Sequence, residues 1–113
     1  MKSKILALSK NEEFKKLLQQ KKISNKYVTI FFGRLLNKDH SKFNISFVAK
    51  KKFANAVKRN KIKRQLRNIA NDAVKNLSLK FDYSYLVIAK PTMLKNKYTI
   101  IKETLLRDFE RIR

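Results

Sequence analysis

Residues 56–76 have the sequence AVKRNKIKRQLRNIANDAVKN, and this stretch decides how the rest of the chain can fold. In it and just beyond it, apolar residues recur at spacings of four, three, four and four: Ile62, Leu66, Ile69, Ala73 and Leu77. That spacing predicts a long helix over Ala56–Asn76 with one apolar stripe. The other elements must supply the core on which the stripe packs.

Those elements are predicted from the same periodicities. Ser9-Lys10-Asn11-Glu12 matches a capping box, which predicts a first helix from there to about Lys22. The predicted strands are Lys26–Leu35, Phe43–Phe47 and Tyr83–Ile88. We expect the first two to form an antiparallel hairpin. The last helix has one apolar face: Tyr98, Ile101, Leu105, Phe109 and Ile112. The predicted order is αββαβα, in one domain over residues 1–113.

The charge of the chain is strongly one-sided. Twenty-nine Lys and Arg oppose 8 Asp and Glu, a formal net charge of +21. Such a surface attracts polyanions, which include nucleic acid, anionic membrane and acidic protein. No long apolar span or basic amphipathic anchor is apparent, so we expect no membrane association. The absence of cysteine excludes disulfides, thiolate zinc sites and cysteine nucleophiles, and is compatible with a cytoplasmic location.

The positive charge is concentrated around the long helix. No acidic residue lies between Asp39 and Asp72, an interval that holds many cations: Lys42, Lys50, Lys51, Lys52, Lys58, Arg59, Lys61, Lys63, Arg64 and Arg67. Solvated helix faces usually mix signs, and like charges four residues apart, as in Arg59/Lys63, cost roughly 0.2–0.5 kcal/mol per pair. We therefore expect a ligand that compensates this repulsion, and a phosphate backbone fits Lys and Arg best.

Residues suited to catalysis are sparse. His40, the single histidine, falls in a predicted loop, the acids form no metal-ligand motif, and one glycine cannot make a glycine-rich phosphate loop. We expect neither catalysis nor metal binding by the protein's own side chains. Several aromatic residues are candidates for base stacking or for the core: Phe14, Tyr27, Phe31, Phe32, Phe43 and Phe47.

The segment KKKFANAVKRNKIKRQLR (50–67) resembles the bacterial ribonuclease P protein family. That family has a lysine pair, a Gly-Asn-Ala-Val segment and then a helix with the pattern Arg-Asn-Arg-x-x-Lys-Arg-x-x-Arg. The resemblance spans nearly the whole chain, including the early pair Leu8 and Phe14 and the strand end Val87–Pro91. The chain departs from the family pattern at four positions: Leu18, Ala54, Lys61 and Asn68. Lysine in place of arginine at position 61 keeps the charge but loses bidentate geometry.

The resemblance implies both a fold and a function. The fold would be α+β, a two-layer sandwich with a mixed sheet and a left-handed βαβ crossover, as in the second domain of ribosomal protein S5. The chain would be the protein subunit of ribonuclease P, which promotes endonucleolytic removal of the 5′ leader from precursor tRNA. Catalysis would belong to the RNA subunit with Mg²⁺. The protein would be monomeric and bind that RNA one to one.

The resemblance also assigns site residues. Contacts with the RNA subunit would fall on the long helix: Lys58, Arg59, Asn60, Lys61, Lys63, Arg64 and Arg67. The 5′ leader would lie in a cleft between the first helix and the sheet, at Phe14, Leu18, Phe32, Lys51, Lys52 and Lys90.

Two alternative functions remain at this point. A ribosomal protein or general RNA chaperone of similar basic α+β fold would show the same charge. A DNA-binding protein could lay the Arg59–Arg67 helix in a major groove, but that helix has too many cations for good base discrimination, and no helix-turn-helix spacing precedes it.

Overall fold

The structure, a computed structural model, describes residues 5–8, 12–35, 38, 41–77 and 81–112. The strands are β1 (Ile5–Leu6), β2 (Lys21–Ser24), β3 (Val28–Gly33), β4 (Phe43–Val48) and β5 (Ser84–Ala89). The α-helices are α1 (Glu12–Leu18), α2 (Ala56–Asn76) and α3 (Tyr98–Arg111). Two short 3₁₀ helices lie at Lys51–Phe53 and Pro91–Lys95. The predicted bounds of α2 are confirmed.

The five strands form one mixed sheet in the order β1-β4-β5-β3-β2. β4 runs parallel to β1 and β5, whereas β3 runs antiparallel to β5 and β2. Because α2 joins the parallel strands β4 and β5, these three elements form a βαβ crossover. The α+β fold with a mixed sheet is confirmed, and the left hand of the crossover stays a prediction.

The predicted antiparallel hairpin between the first two predicted strands, Lys26–Leu35 and Phe43–Phe47, is wrong. β3 and β4 are not neighbours, because β5 lies between them and pairs with both, Phe31 with Leu86 and Ser46 with Leu86. β5 is apolar on both faces over Leu86–Ala89, and such strands occupy the middle of a sheet that is covered on both sides. That central position separates the two strands that follow each other in sequence.

The first helix is shorter than predicted. It ends at Leu18, and the backbone N–H groups of Gln19 and Gln20 donate to carbonyls within its last turn. The next four residues form the edge strand β2, with Lys21 opposite Phe32. Pairing with β3 therefore replaces the last helical turn predicted up to Lys22. The predicted order αββαβα also lacks β1, and the proposed cap residue Ser9 lies outside the described residues.

One face of the sheet forms the main core with α2 and α3. The α2 stripe is buried as predicted at Ile62, Leu66, Ile69 and Ala73, with Leu77 half-buried. At its centre the ring of Phe43 lies 5.0 Å from that of Tyr85 and 5.9 Å from that of Phe109 on α3, both edge to face. Burying each large apolar side chain contributes roughly 1.5–3 kcal/mol, so this face fixes α2 against the sheet.

The opposite face of the sheet is only partly covered. The short helix α1 packs there through Leu17, which joins a second cluster with Leu8, Leu35 and Leu86. Seven residues cannot span five strands, and Val48 on β4 stays half-buried. A groove therefore remains beside α1. Within the described ranges, no helix is both long and apolar enough to cross a membrane.

Candidate nucleic-acid interface

The α2 basic surface consists of the polar and cationic residues of the first three turns of α2. They are Lys58, Arg59, Asn60, Lys61, Lys63, Arg64 and Arg67. The helix starts at the cap residue Asn55, whose side-chain oxygen accepts a hydrogen bond of 2.9 Å from the backbone N–H of Lys58. The first turn contains no acid. Cations at a helix N-terminus oppose the helix dipole and cost about 0.3–1 kcal/mol each.

The α2 basic surface faces away from the core. Arg59 and Lys63 are half-buried at the border of the stripe, and the other five residues are exposed. Lys63 and Arg67 border the groove beside α1. Lys58 and Lys61 lie on the other flank and line a cavity of about 180 Å³ next to the 3₁₀ helix Pro91–Lys95. The cations therefore surround the exposed side of α2 rather than form a single line.

No ion pair among the described residues neutralises this surface. Among the described residues the ion pairs are Arg34–Asp82, Lys38–Glu13 and Lys102–Asp72. Asp72 is the only acid of α2, and it pairs with a lysine of α3. The like-charge repulsion along α2 thus has no compensation among the ion pairs of the described residues. A polyanion bound to the surface would supply it.

The side chain of Arg59 contains a donor atom that a bound polyanion could satisfy. Its Nε is buried and, among the described residues, has no hydrogen-bond partner. A buried donor without a partner costs about 1–3 kcal/mol, and more when it is charged. The guanidinium can donate two parallel hydrogen bonds to a phosphate. A phosphate bound at the edge of α2 would satisfy this donor once the half-buried side chain turns outward on binding.

The groove beside α1, called the β4 groove from here on, has a volume of about 420 Å³. Its walls come from β1, α1, β4 and α2: Ile5, Ala7, Leu8, Phe14, Ile45, Ser46, Phe47, Val48, Ala49, Lys63 and Arg67. Among the described residues, β1 pairs with β4 at Phe43 and Asn44, and the later residues of β4 line the groove. An apolar floor with two cations on one wall suits a single-stranded nucleic acid, which has flat bases and a charged backbone.

The predicted cleft residues divide among three places. Phe14 is half-buried and lines the β4 groove, whereas Leu18 is 47% exposed at the end of α1 and does not line it. Phe32 does not lie in the cleft, which corrects the prediction. It is buried on the opposite face of the sheet, with its ring 5.8 Å from that of Tyr83. Its neighbour Phe31 takes the α1 side, 5.9 Å from the ammonium of Lys22.

Two of the three predicted cleft lysines, Lys52 and Lys90, lie together at the carboxyl end of β4 and β5. Because these strands are parallel, their carboxyl ends lie side by side, and the residues that follow them share one cavity of about 480 Å³. This lysine pocket is lined by Thr29, Lys50, Lys52, Ile88, Ala89, Lys90 and Pro91. It contains three lysines and no acid. Lys51 is exposed but does not line this pocket. Lys50, which is not among the predicted cleft residues, does line it.

No group of three or more His, Asp or Glu residues is close enough to hold a metal ion in the part of the chain that is described. His40 lies outside that part. What the geometry assembles is a set of binding surfaces: the α2 basic surface, the β4 groove and the lysine pocket.

Comparison with protein families and curated proteins gives one consistent result. Residues 3–113 match the family model described as Ribonuclease P. The ribonuclease P protein component of Mesoplasma florum is 33% identical over 80% of this chain and 80% of its own length. That of Carboxydothermus hydrogenoformans is 33% identical over 88% of this chain and 84% of its own length.

Solved structures share the fold. The RNase P protein of Thermotoga maritima superposes with a TM-score of 0.77 at 24% identity, over 96% of this chain and 98% of that one. The RNase P protein of Staphylococcus aureus gives a TM-score of 0.77 at 24% identity, over 94% and 93% of the two chains. At this identity the likeness concerns the arrangement of strands and helices.

Proposed function

This chain belongs to the ribonuclease P protein family, and we propose that its α2 basic surface binds the RNA subunit while its β4 groove and lysine pocket bind the 5′ leader of precursor tRNA. Family membership makes the chain a subunit of ribonuclease P that acts in tRNA processing with the RNA subunit as partner. It also decides against the ribosomal-protein, RNA-chaperone and DNA-binding alternatives.

The strongest support for RNA binding is the uncompensated charge of α2. Its cations pair with no carboxylate among the described residues, and the Nε of Arg59 is a buried donor without a partner there. If about six to ten phosphates are covered, affinity falls by roughly 10³–10⁵ between 50 and 200 mM salt on the duplex calibration. Such a slope would distinguish backbone binding from an ordinary solvated face.

The β4 groove suits the leader because it is adjacent to the α2 basic surface. Lys63 and Arg67 belong to both sites, and Phe14 stands across the groove. A single strand can place bases against the apolar floor while its phosphates follow the cations. The lysine pocket at the carboxyl end of β4 would continue the path, with Lys50, Lys52 and Lys90 as phosphate ligands.

In this proposal the hydrolytic chemistry belongs to the RNA subunit. Mg²⁺ bound to that RNA would supply the activated water and stabilise the leaving oxygen. The protein contributes affinity for the leader and screens the repulsion between two RNA molecules. We propose one protein per RNA subunit and action in the cytoplasm.

The test is reconstitution with the RNA subunit of the same organism. Cleavage of precursor tRNA is measured across a Mg²⁺ series with and without the protein, and affinity is compared for precursor and mature tRNA. We expect cleavage at lower Mg²⁺ with the protein, together with tighter binding of the leader-bearing substrate. Equal affinity for both tRNAs would contradict leader binding, and no stimulation of cleavage would contradict the whole proposal.

A further inference from the structure

The turn between β2 and β3 is fixed to α3 by one side chain. The side-chain oxygen of Asn25 accepts hydrogen bonds from the backbone N–H groups of Tyr27 and Val28, at 2.7 and 2.9 Å. Its side-chain nitrogen donates to Oδ2 of Asp108 on α3, at 2.7 Å. Asn25 thus shapes the turn through its oxygen and anchors it through its nitrogen. The two partners lie 83 residues apart in a chain of 113, so the contact is a tertiary one.

The same turn holds the side chain of Lys90. The Lys90 ammonium donates to the backbone carbonyl of Asn25 at 2.6 Å and to Oγ of Ser24 at 2.8 Å. The backbone N–H of Lys90 also donates to the carbonyl of Tyr27 at 2.8 Å. Both ends of the lysine are therefore tied to the β2–β3 turn, and the position of its charge depends on the position of that turn.

Lys90 differs in this respect from the other lysines of its pocket. Lys50 and Lys52 are exposed, whereas Lys90 is half-buried and held by two acceptors. An ammonium has three N–H donors, so one remains for a ligand in the pocket. Fixing a flexible side chain in advance lowers the conformational entropy lost on binding.

We propose that Asn25, anchored by Asp108, is a positioning residue that places the ammonium of Lys90 for a phosphate of the RNA leader. This inference rests on the proposed leader contact of the lysine pocket. Asn25 would not touch the RNA; it would act by holding the carbonyl that fixes the ammonium.

Asp108 supports this role because it is a buried carboxylate that accepts a hydrogen bond from Asn25. It is 6% exposed on a helix whose neighbouring core positions, Leu105 and Phe109, are apolar. A buried carboxylate is unfavourable unless hydrogen-bonded, and an apolar residue often packs at least as well there. The hydrogen bond to Asn25 gives the carboxylate a specific partner, and through it a specific position for the turn.

The experiment uses the reconstituted ribonucleoprotein with RNA of the same organism. The ratio of affinities for precursor and mature tRNA is measured in a KCl series for Lys90→Met, Asn25→Ala, Asp108→Ala, Asp108→Asn and the double variant Asn25→Ala/Lys90→Met. Thermal unfolding of each variant is recorded in parallel. Affinity for mature tRNA controls for damage to the RNA-subunit contact.

Lys90→Met should lower leader-dependent affinity roughly threefold to tenfold and reduce the salt slope by roughly 0.7, the single-strand value for one phosphate. Asn25→Ala and Asp108→Ala should also lower the leader-dependent affinity. Asp108→Asn should keep the affinity of the native chain, because the amide oxygen can still accept the hydrogen bond from Asn25. In the Lys90→Met background, Asn25→Ala should add nothing to the loss of affinity.

Three results would overturn the inference, and they are distinguishable. A loss from Asn25→Ala that persists in the Lys90→Met background would mean that Asn25 acts elsewhere. A lowered melting temperature with unchanged leader affinity and salt slope would mean a merely structural role. No effect of Lys90→Met would remove the proposed leader contact itself, and the positioning role with it.

Discussion

Asp72 on α2 pairs with Lys102 on α3, so the only carboxylate of α2 forms its ion pair with another helix. Both side chains are about one-third exposed. The hydrogen bond to Asp72 raises the pKa of Lys102 above its usual 10.5. The pair therefore joins two helices of the core, and none of the ion pairs among the described residues involves the α2 basic surface.

The pair should stabilise the fold only while Lys102 is charged. Because its pKa is raised in the folded state, the contribution is fully present below pH 10.5 and is lost as pH rises through the folded value. We expect Asp72→Asn to lower the urea midpoint slightly at pH 8, and the difference from the native chain to vanish at strongly alkaline pH. A difference that stayed constant over this range would contradict the pairing.

A second loss of folding stability at alkaline pH is expected from Tyr85, independently of Lys102. Burial raises the pKa of its phenol, and the nearby charge of Asp82 adds to the shift. The folded state thus disfavours the phenolate, so stability is complete below pH 10 and declines above it. Tyr85→Phe should flatten that decline in unfolding free energy between pH 9 and about 11. A decline of unchanged slope in the variant would show that another group is responsible.

Arg59 and Arg64 test the α2 basic surface directly. Replacing both by Ala should weaken assembly with the RNA subunit and lower the salt slope by about two, roughly one for each phosphate contact. The fold should persist, because neither side chain belongs to the buried stripe. The matched control is Lys75→Ala/Lys97→Ala, which removes two exposed cations outside the surface. An equal loss of affinity for the RNA subunit in both double variants would mean that only the total charge of the protein matters.

The helix α2 and its exposed cations were predictable because a helix has a long, regular period. Five apolar positions at spacings of three and four fix which side is buried, and the opposite side follows. Arg59 marks the limit of this method: it sits at the border of the stripe, and only the packed structure shows that its Nε is buried without a partner among the described residues. The sequence contains no comparable local pattern that predicts which strands are neighbours in the sheet. The continuous apolar run of β5 was the available signal for its central position.

The misplacement of Phe32 has a similar cause. Alternation tells the faces of a strand apart only when one face is polar, and Ile30, Phe31 and Phe32 are all apolar. β3 is covered on both sides, by the main core and by α1, so the sequence cannot tell which phenylalanine faces which layer. The strand β2 was hidden for another reason: its Lys21-Lys22-Ile23-Ser24 sequence is that of an exposed edge, and only pairing with β3 makes it a strand.

Phe14 and Phe32 therefore make a matched pair that separates leader binding from core packing. Phe32→Ala should destabilise the protein by about 3–5 kcal/mol, because it empties a buried position beside Tyr83. Phe14 is half-buried in the wall of the β4 groove, so Phe14→Ala should cost less stability. It should instead weaken binding of precursor tRNA by about 1–3 kcal/mol if a base stacks there.

The measurement is urea unfolding of both variants, together with affinities of the reconstituted ribonucleoprotein for precursor and mature tRNA. Below the unfolding transition of Phe32→Ala, its preference for leader-bearing tRNA should match that of the native chain, because the ring of Phe32 packs in the main core on the α2 face of the sheet and does not line the groove. Phe14→Ala should lose part of that preference. If Phe32→Ala lost the preference while folded and Phe14→Ala kept it, the leader would have to run over the other face of the sheet, and the β4 groove would not be its site.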